Sequence, residues 1–240
     1  MSFALWKLLK EFSYERFIAF ESNIEALTLV HSVIESPDEG LKIYINGMTG
    51  NGKTHLQHAA GLKWLKKYPK KKVVFADSGM FMRDCLYARN HKSSANFDMK
   101  YRDCDLLLIE NIDRIASNDF CQTLLLSLFE SIAARQGTIM VDSVSPLDQQ
   151  SPIFSMQLVR EIQNFKIATI AVLSDNELRF FIKVLQEQLK LRLSRSALEA
   201  LVFYLSGRSN RVVYGCLNRI NAHIRSRELS INEVMNILSK

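Results

Sequence analysis

The chain has 240 residues, with 31 Lys and Arg against 25 Asp and Glu for a formal charge of +6, and it is 48% apolar and 23% charged. These are the proportions of an ordinary folded protein. They exclude a disordered segment, a collagen and a coiled coil, and they leave apolar surface enough for a core without staples.

The first twelve residues carry an apolar stripe of Phe3, Leu5, Trp6, Leu9 and Phe12, broken by Lys7 and Lys10. The stripe suits either a partner groove or the protein's own surface, and the stretch has no cleavage site of a signal peptide. The first strand is expected over Leu41–Asn46. Directly after it, residues 47–54 (Gly-Met-Thr-Gly-Asn-Gly-Lys-Thr) match G-x-x-x-x-G-K-[ST]. In that pattern backbone N–H groups turn inward around phosphate oxygens, the lysine (Lys53) reaches the β/γ phosphates, and the hydroxyl of Thr54 ligates Mg²⁺. The helix that follows, expected over His55–Lys67, adds the positive end of its dipole at the same place.

Lys63, Lys66, Lys67, Lys70, Lys71 and Lys72 put six lysines in ten residues, either a solvated turn or a phosphate-backbone contact to DNA. Further strands are expected at Val73–Asp77, Asp105–Glu110, Thr138–Asp142 and Ile167–Leu173. Amphipathic helices over Gly79–Asn90, Asp119–Arg135 and about Pro152–Asn164 lie between them. Short apolar strands alternating with helices predict an α/β fold with a parallel five-stranded sheet between helices. Glu110 closes the third strand, where a P-loop nucleotidase keeps a metal-supporting acid. The next residue is Asn111, which cannot take a proton, and Asp113 is the nearest acid beyond it.

After Leu173 the strand signal stops. Helices are expected from Asp175 to about Lys190, from Ser194 to Leu205, from Asn210 to about Arg225, and after the Ser230/Glu233 capping box. The tail therefore reads as a small all-α domain over 175–240, with the α/β domain over 1–174. The four cysteines lie far apart with no CxxC pair, so a zinc ribbon or disulfide scaffold is not expected. No apolar run approaches the roughly 20 residues of a membrane span, and the expected setting is cytoplasmic, with no membrane contact.

In their order, several segments resemble the bacterial DnaA/Hda family of AAA+ proteins. These are Phe17-Ile18 with Ser22-Asn23, Gly52-Lys53-Thr54-His55-Leu56 with His58-Ala59, and Leu107-Leu108-Ile109-Glu110-Asn111-Ile112. The last are Arg208-Ser209-Asn210-Arg211 and Gly215-Cys216-Leu217-Asn218-Arg219. The resemblance implies an AAA+ P-loop domain and a helical lid with ATP or ADP and Mg²⁺ held between them. Nucleotide contacts would come from Gly47, Thr49, Gly50, Asn51, Gly52, Lys53, Thr54 and His55, from the lid arginine Arg211, and from Phe17 and Ile18 near the adenine. Thr54 and Glu110 would serve the metal.

Set against the family, Asn111 replaces an acid and Val144 falls where a polar sensor is usual. Glu161, with Arg160 beside it, falls where a finger arginine reaches a neighbour's nucleotide. The lid motif is one residue shorter than usual, and the sequence stops at Lys240 where an initiator continues into a DNA-binding domain. The resemblance thus implies an Hda-like regulator of replication initiation acting on the DnaA initiator, with weak or no hydrolysis. The alternative is an active DnaA-like ATPase assembling on DNA, with Asp113 as catalytic acid and Arg160 as finger. A scaffold without nucleotide is a third reading. A homo-oligomer fits either of the first two. Sliding-clamp docking through a Gln-Leu-x-Leu peptide is not evident, since residues 1–12 hold no glutamine and Gln188–Leu193 lies in the lid.

Overall fold

The computed structural model describes residues 8–91, 95–150, 154–223 and 228–238. Phe3, Leu5 and Trp6 of the apolar stripe lie outside them. Contacts divide the chain into two units. One comprises the chain up to Gly47 together with Gly52–Ile170; the other comprises Met48–Asn51 and the chain from Ala171 onward.

In the first unit β1 (Lys42–Gly47), β2 (Val73–Asp77), β3 (Leu106–Glu110), β4 (Thr138–Ser143) and β5 (Lys166–Ile170) form a parallel sheet in the order β2-β3-β4-β1-β5. Strands β1 to β4 are apolar almost throughout because both faces are covered. Alternate side chains divide between two cores. Ile43, Ile45, Phe75, Leu106, Leu108 and Met140 face α1 (Ile24–Glu35) and α2 (Lys53–Lys67). Tyr44, Val74, Leu107, Ile109, Ile139 and Val141 face α3 (Ser78–Asn90), α4 (Ala95–Phe97), α5 (Asp119–Ala133) and α7 (Met156–Gln163), with the short α6 (Leu147–Gln150) before the last. β5, at the edge opposite β2, leaves Lys166, Ile167 and Thr169 exposed.

Among the departures from the expected elements are α1, which was not expected, and the end of the fifth strand. α1 carries Thr28 and Ser32, residues that usually weaken a helix, but each hydroxyl donates to the carbonyl four residues back, which lets them stay in it. Its N-cap Asn23 gives no capping bond, because its side chain accepts from the Phe20 N–H and donates to the Ile18 carbonyl. The fifth strand stops at Ile170 rather than Leu173.

The second unit holds α8 (Asp175–Leu189), α9 (Arg195–Leu205), α10 (Asn210–His223) and α11 (Ile231–Leu238) around Leu178, Ile182, Leu201, Leu205, Val213, Leu217 and Val234. Ser174 caps α8, in a capping box with Glu177. Asp175 accepts from the Ser206 hydroxyl at 2.8 Å. The unit is helical apart from a two-residue parallel pairing of β6 (Arg192–Leu193) with β7 (Glu228–Leu229), too short to leave a periodic signal in the sequence. Among the described residues no helix is long and apolar enough to cross a membrane.

Candidate phosphate-binding site

The loop of residues 47–54 leaves the C-terminal end of β1, which lies between β4 and β5, the edge at which open parallel sheets bind ligands. Gly52 has φ 111°, a left-handed conformation open to glycine, and it is the N-cap of α2. A side chain there would also stand 3.1 Å from the ring of Phe17. Within the second unit, Gly50 has φ 93° and its carbonyl accepts from the Arg211 N–H at 3.1 Å. Arg211 itself is exposed, as is Thr49. Asn51 donates to the Ala171 carbonyl at 3.2 Å, its own carbonyl accepts from Asn210 Nδ2 at 3.3 Å, and its side-chain oxygen is buried with no hydrogen-bond partner among the described residues.

In the first unit Lys53 is 7% exposed and donates to the Gly47 carbonyl at 2.5 Å. The Thr54 hydroxyl donates to the Glu110 carboxylate. These two hard oxygen donors meet where the first turn of α2 faces the end of β3. Among the described residues no three His, Cys, Asp or Glu side chains gather as a metal cage. One hydroxyl and one carboxylate are the protein share that Mg²⁺ takes when phosphates and waters supply the rest, so the residues present fit a Mg²⁺-nucleotide.

His55 is engaged by the N-terminal segment. Its Nε2 lies 2.8 Å from the Ser13 carbonyl, and its ring packs between Phe12 and Phe17, each with its centroid 5.3 Å away. Burial pulls its pKa down. His58, one turn on, accepts from the Leu9 N–H at 3.2 Å and is likewise held down by burial. Residues 8–17 thus lie along α2, with Phe17 against Gly52; Ile18 is tied through its carbonyl to Asn23.

Beyond Glu110 the chain turns at Asn111, which has φ 57°. Asp113 spends both carboxylate oxygens on the end of β4, accepting from the Ser143 hydroxyl and the Val144 N–H, each at 2.7 Å. Glu161, on α7, pairs with Lys42 at 2.7 Å, while Arg160 beside it is exposed. In the lysine run, Lys67 pairs with Glu35 and Lys71 with Asp38, Lys63 sits 4.1 Å over the Tyr14 ring, and Lys72 donates to the Met99 carbonyl.

Two residues of the site escaped sequence reasoning. Gln57, fully buried on α2, donates to the Ile109 carbonyl at 3.1 Å and to Asp142 at 2.8 Å. Asp142, 1% exposed in β4, also accepts from the Asn111 N–H at 3.0 Å. Burial pushes its carboxyl up to about 7; nearby Lys53 pulls it back while Glu110 and Asp113 add to the rise. The signal in the sequence was a carboxylate inside an otherwise apolar strand and a glutamine one turn after Lys53.

A family model for the bacterial DnaA ATPase domain matches residues 8–158. The chromosomal replication initiator protein DnaA of Lactobacillus helveticus is 32% identical over 154 residues, 64% of this chain and 34% of that protein. The chain spans between a third and a half of the length of its curated relatives. Domain III of the Thermotoga maritima replication initiation protein DnaA superposes with a TM-score of 0.87 at 20% identity over 98% of both chains. AMPPCP-bound DnaA from Aquifex aeolicus does so with a TM-score of 0.82 at 21% identity over 97% of this chain and 70% of that one. The matched region takes in the loop, β3 and β4 and covers well over half of the sequence, and the chain belongs to the bacterial DnaA ATPase-domain family.

Proposed function

We propose that this chain binds ATP or ADP with Mg²⁺ and serves as an Hda-like regulatory AAA+ module of replication initiation. It presents its nucleotide-loaded form to the DnaA initiator and turns over little or no ATP itself. The reading rests on one contrast. Lys53, Thr54 and Glu110 are assembled at the loop, whereas the residue after Glu110 is Asn111 and the nearest acid, Asp113, has both oxygens engaged on β4.

In such a site Lys53 exchanges the Gly47 carbonyl for phosphate oxygens, and the N-terminal turn of α2 offers them its N–H groups. Thr54 and Glu110 would hold Mg²⁺, which would supply charge neutralisation for the phosphates. AMPPCP in the Aquifex aeolicus relative supports the ligand class. The test is single-turnover hydrolysis by the purified chain, with retained nucleotide and released phosphate scored together. Retention that Lys53→Ala abolishes, with phosphate at background, is expected.

The exposed Arg160 supports a second reading, an active ATPase assembling with copies of itself on DNA. On that reading phosphate appears, and Asp113→Ala stops it. Four of the six lysines of the 63–72 run have partners within the chain, which leaves that segment a small DNA footprint. Sliding-clamp docking has no further support in the structure.

A further inference from the structure

The Gln57–Asp142 pair is expensive to keep. A carboxylate buried to 1% exposure sits among Lys53, Glu110 and Asp113, and the amide oxygen of Gln57 is buried with no hydrogen-bond partner among the described residues. Buried polar groups left part-satisfied cost stability, and apolar replacements of similar shape are often neutral or stabilising. A pair with a purely structural role would be hard to account for.

The three bonds of the pair run between the elements that carry the metal donors. Gln57 lies one turn after Lys53 on the helix that presents Thr54, and its Nε2 reaches the carbonyl of Ile109, the residue before Glu110. The same nitrogen holds Asp142, and Asp142 holds the N–H of Asn111, the residue after Glu110. The backbone on both sides of Glu110 is thereby fixed to α2 and β4. That bond also helps hold Asn111 in its left-handed turn, a conformation that costs a residue other than glycine.

We propose that Gln57 and Asp142 form a positioning pair which sets the Glu110 carboxylate against the Thr54 hydroxyl and so gives the site its affinity for the metal rather than for the nucleotide alone. The pair stands behind the donors, as outer-shell partners do at metal sites, where their loss costs tenfold or more in metal affinity.

The proposal rests on the nucleotide-binding reading, and the experiment separates the two. Affinity for a fluorescent ADP analogue is measured with Mg²⁺ and with EDTA for wild type, Lys53→Ala, Gln57→Leu, Asp142→Val and the double variant. Thermal melts of the nucleotide-free proteins run in parallel. The Mg²⁺-dependent gain in affinity is expected to fall tenfold or more in each single variant and no further in the double, because the two act as a unit. Affinity in EDTA should stay within about twofold, and the double variant, in which neither side chain of the pair is left buried without the other, should still melt cooperatively, which keeps the test open if a single variant folds poorly. An unchanged Mg²⁺-dependent gain in the double variant overturns the pair's role while leaving nucleotide binding intact. Wild type that binds no analogue, or binding that ignores Lys53→Ala, overturns the nucleotide reading and the pair's role with it.

Discussion

Asp142→Asn removes a buried titrating group while keeping its shape, and the size of the effect follows from the site. Burial raises this carboxyl from 3.8 to about 7. Between those values the folded protein holds a proton that the unfolded chain has released, so stability falls as pH rises, and the loss is complete above about pH 8. At about 1.36 kcal/mol per pH unit the whole change is about 4 kcal/mol, of which about 3 falls between pH 5 and 8.5. Asparagine cannot titrate, so the difference between variant and wild type should grow by that amount across the range in favour of the variant. For a chain of this size it corresponds to about 6–12 °C in melting temperature. The assay is thermal or urea unfolding of both nucleotide-free proteins at half-unit steps from pH 5 to 8.5. Curves that stay parallel across the range would refute the reasoning, since they would mean that Asp142 ionises as it does in water.

Gly50→Ala should destabilise by about 1–3 kcal/mol, because φ is 93° and the new methyl would stand 2.8 Å from the Arg211 Cβ and 2.9 Å from the Ser209 hydroxyl; a melt checks it, and an unchanged melting temperature counts against the loop conformation. Gly61→Ala places a methyl 2.8 Å from Leu8 and 3.0 Å from Leu108. It should speed amide exchange over residues 8–17 several-fold while changing global stability by less than about 1 kcal/mol, the helix propensity of alanine offsetting the crowding. Lowering the pH should loosen the same segment. Burial depresses the pKa of His58, and its Nδ1 must be unprotonated to accept from Leu9, so this contribution is present above about pH 6.5 and lost as pH falls through the lower folded value. Exchange over residues 8–17 that does not rise between pH 7 and 5, corrected for intrinsic rates, would contradict it.

The sheet was readable because four of its five strands are buried on both faces, so that aliphatic runs such as residues 105–110 and 138–142 stand out from their flanks. The phosphate loop was readable for a different reason: its glycines and Lys53 are demanded by backbone geometry and charge at fixed spacing. What could not be read were relations between distant positions. Asp113 looked available from its place two residues past Asn111, and only the fold brings Ser143 and Val144 to its oxygens. His55 directly follows the motif, but its ring is claimed by Ser13 and two phenylalanines far upstream in sequence. Gln57 resembles any other polar residue in an amphipathic helix until β3 and β4 are laid beside it.

Helix α2 has 15 residues and at 1.5 Å per residue is a rod of about 22 Å. Lys53 is its first residue, while Leu8, Leu9, Phe12 and Tyr14 grip it further along through Gly61, His58, His55 and Lys63. The N-terminal segment and the phosphate lysine are therefore mechanically in series. A load applied to the N-terminal segment, whether by a surface tether or by a bound protein, enters the same helix that begins with Lys53, and passes to the sheet through that helix's packed face.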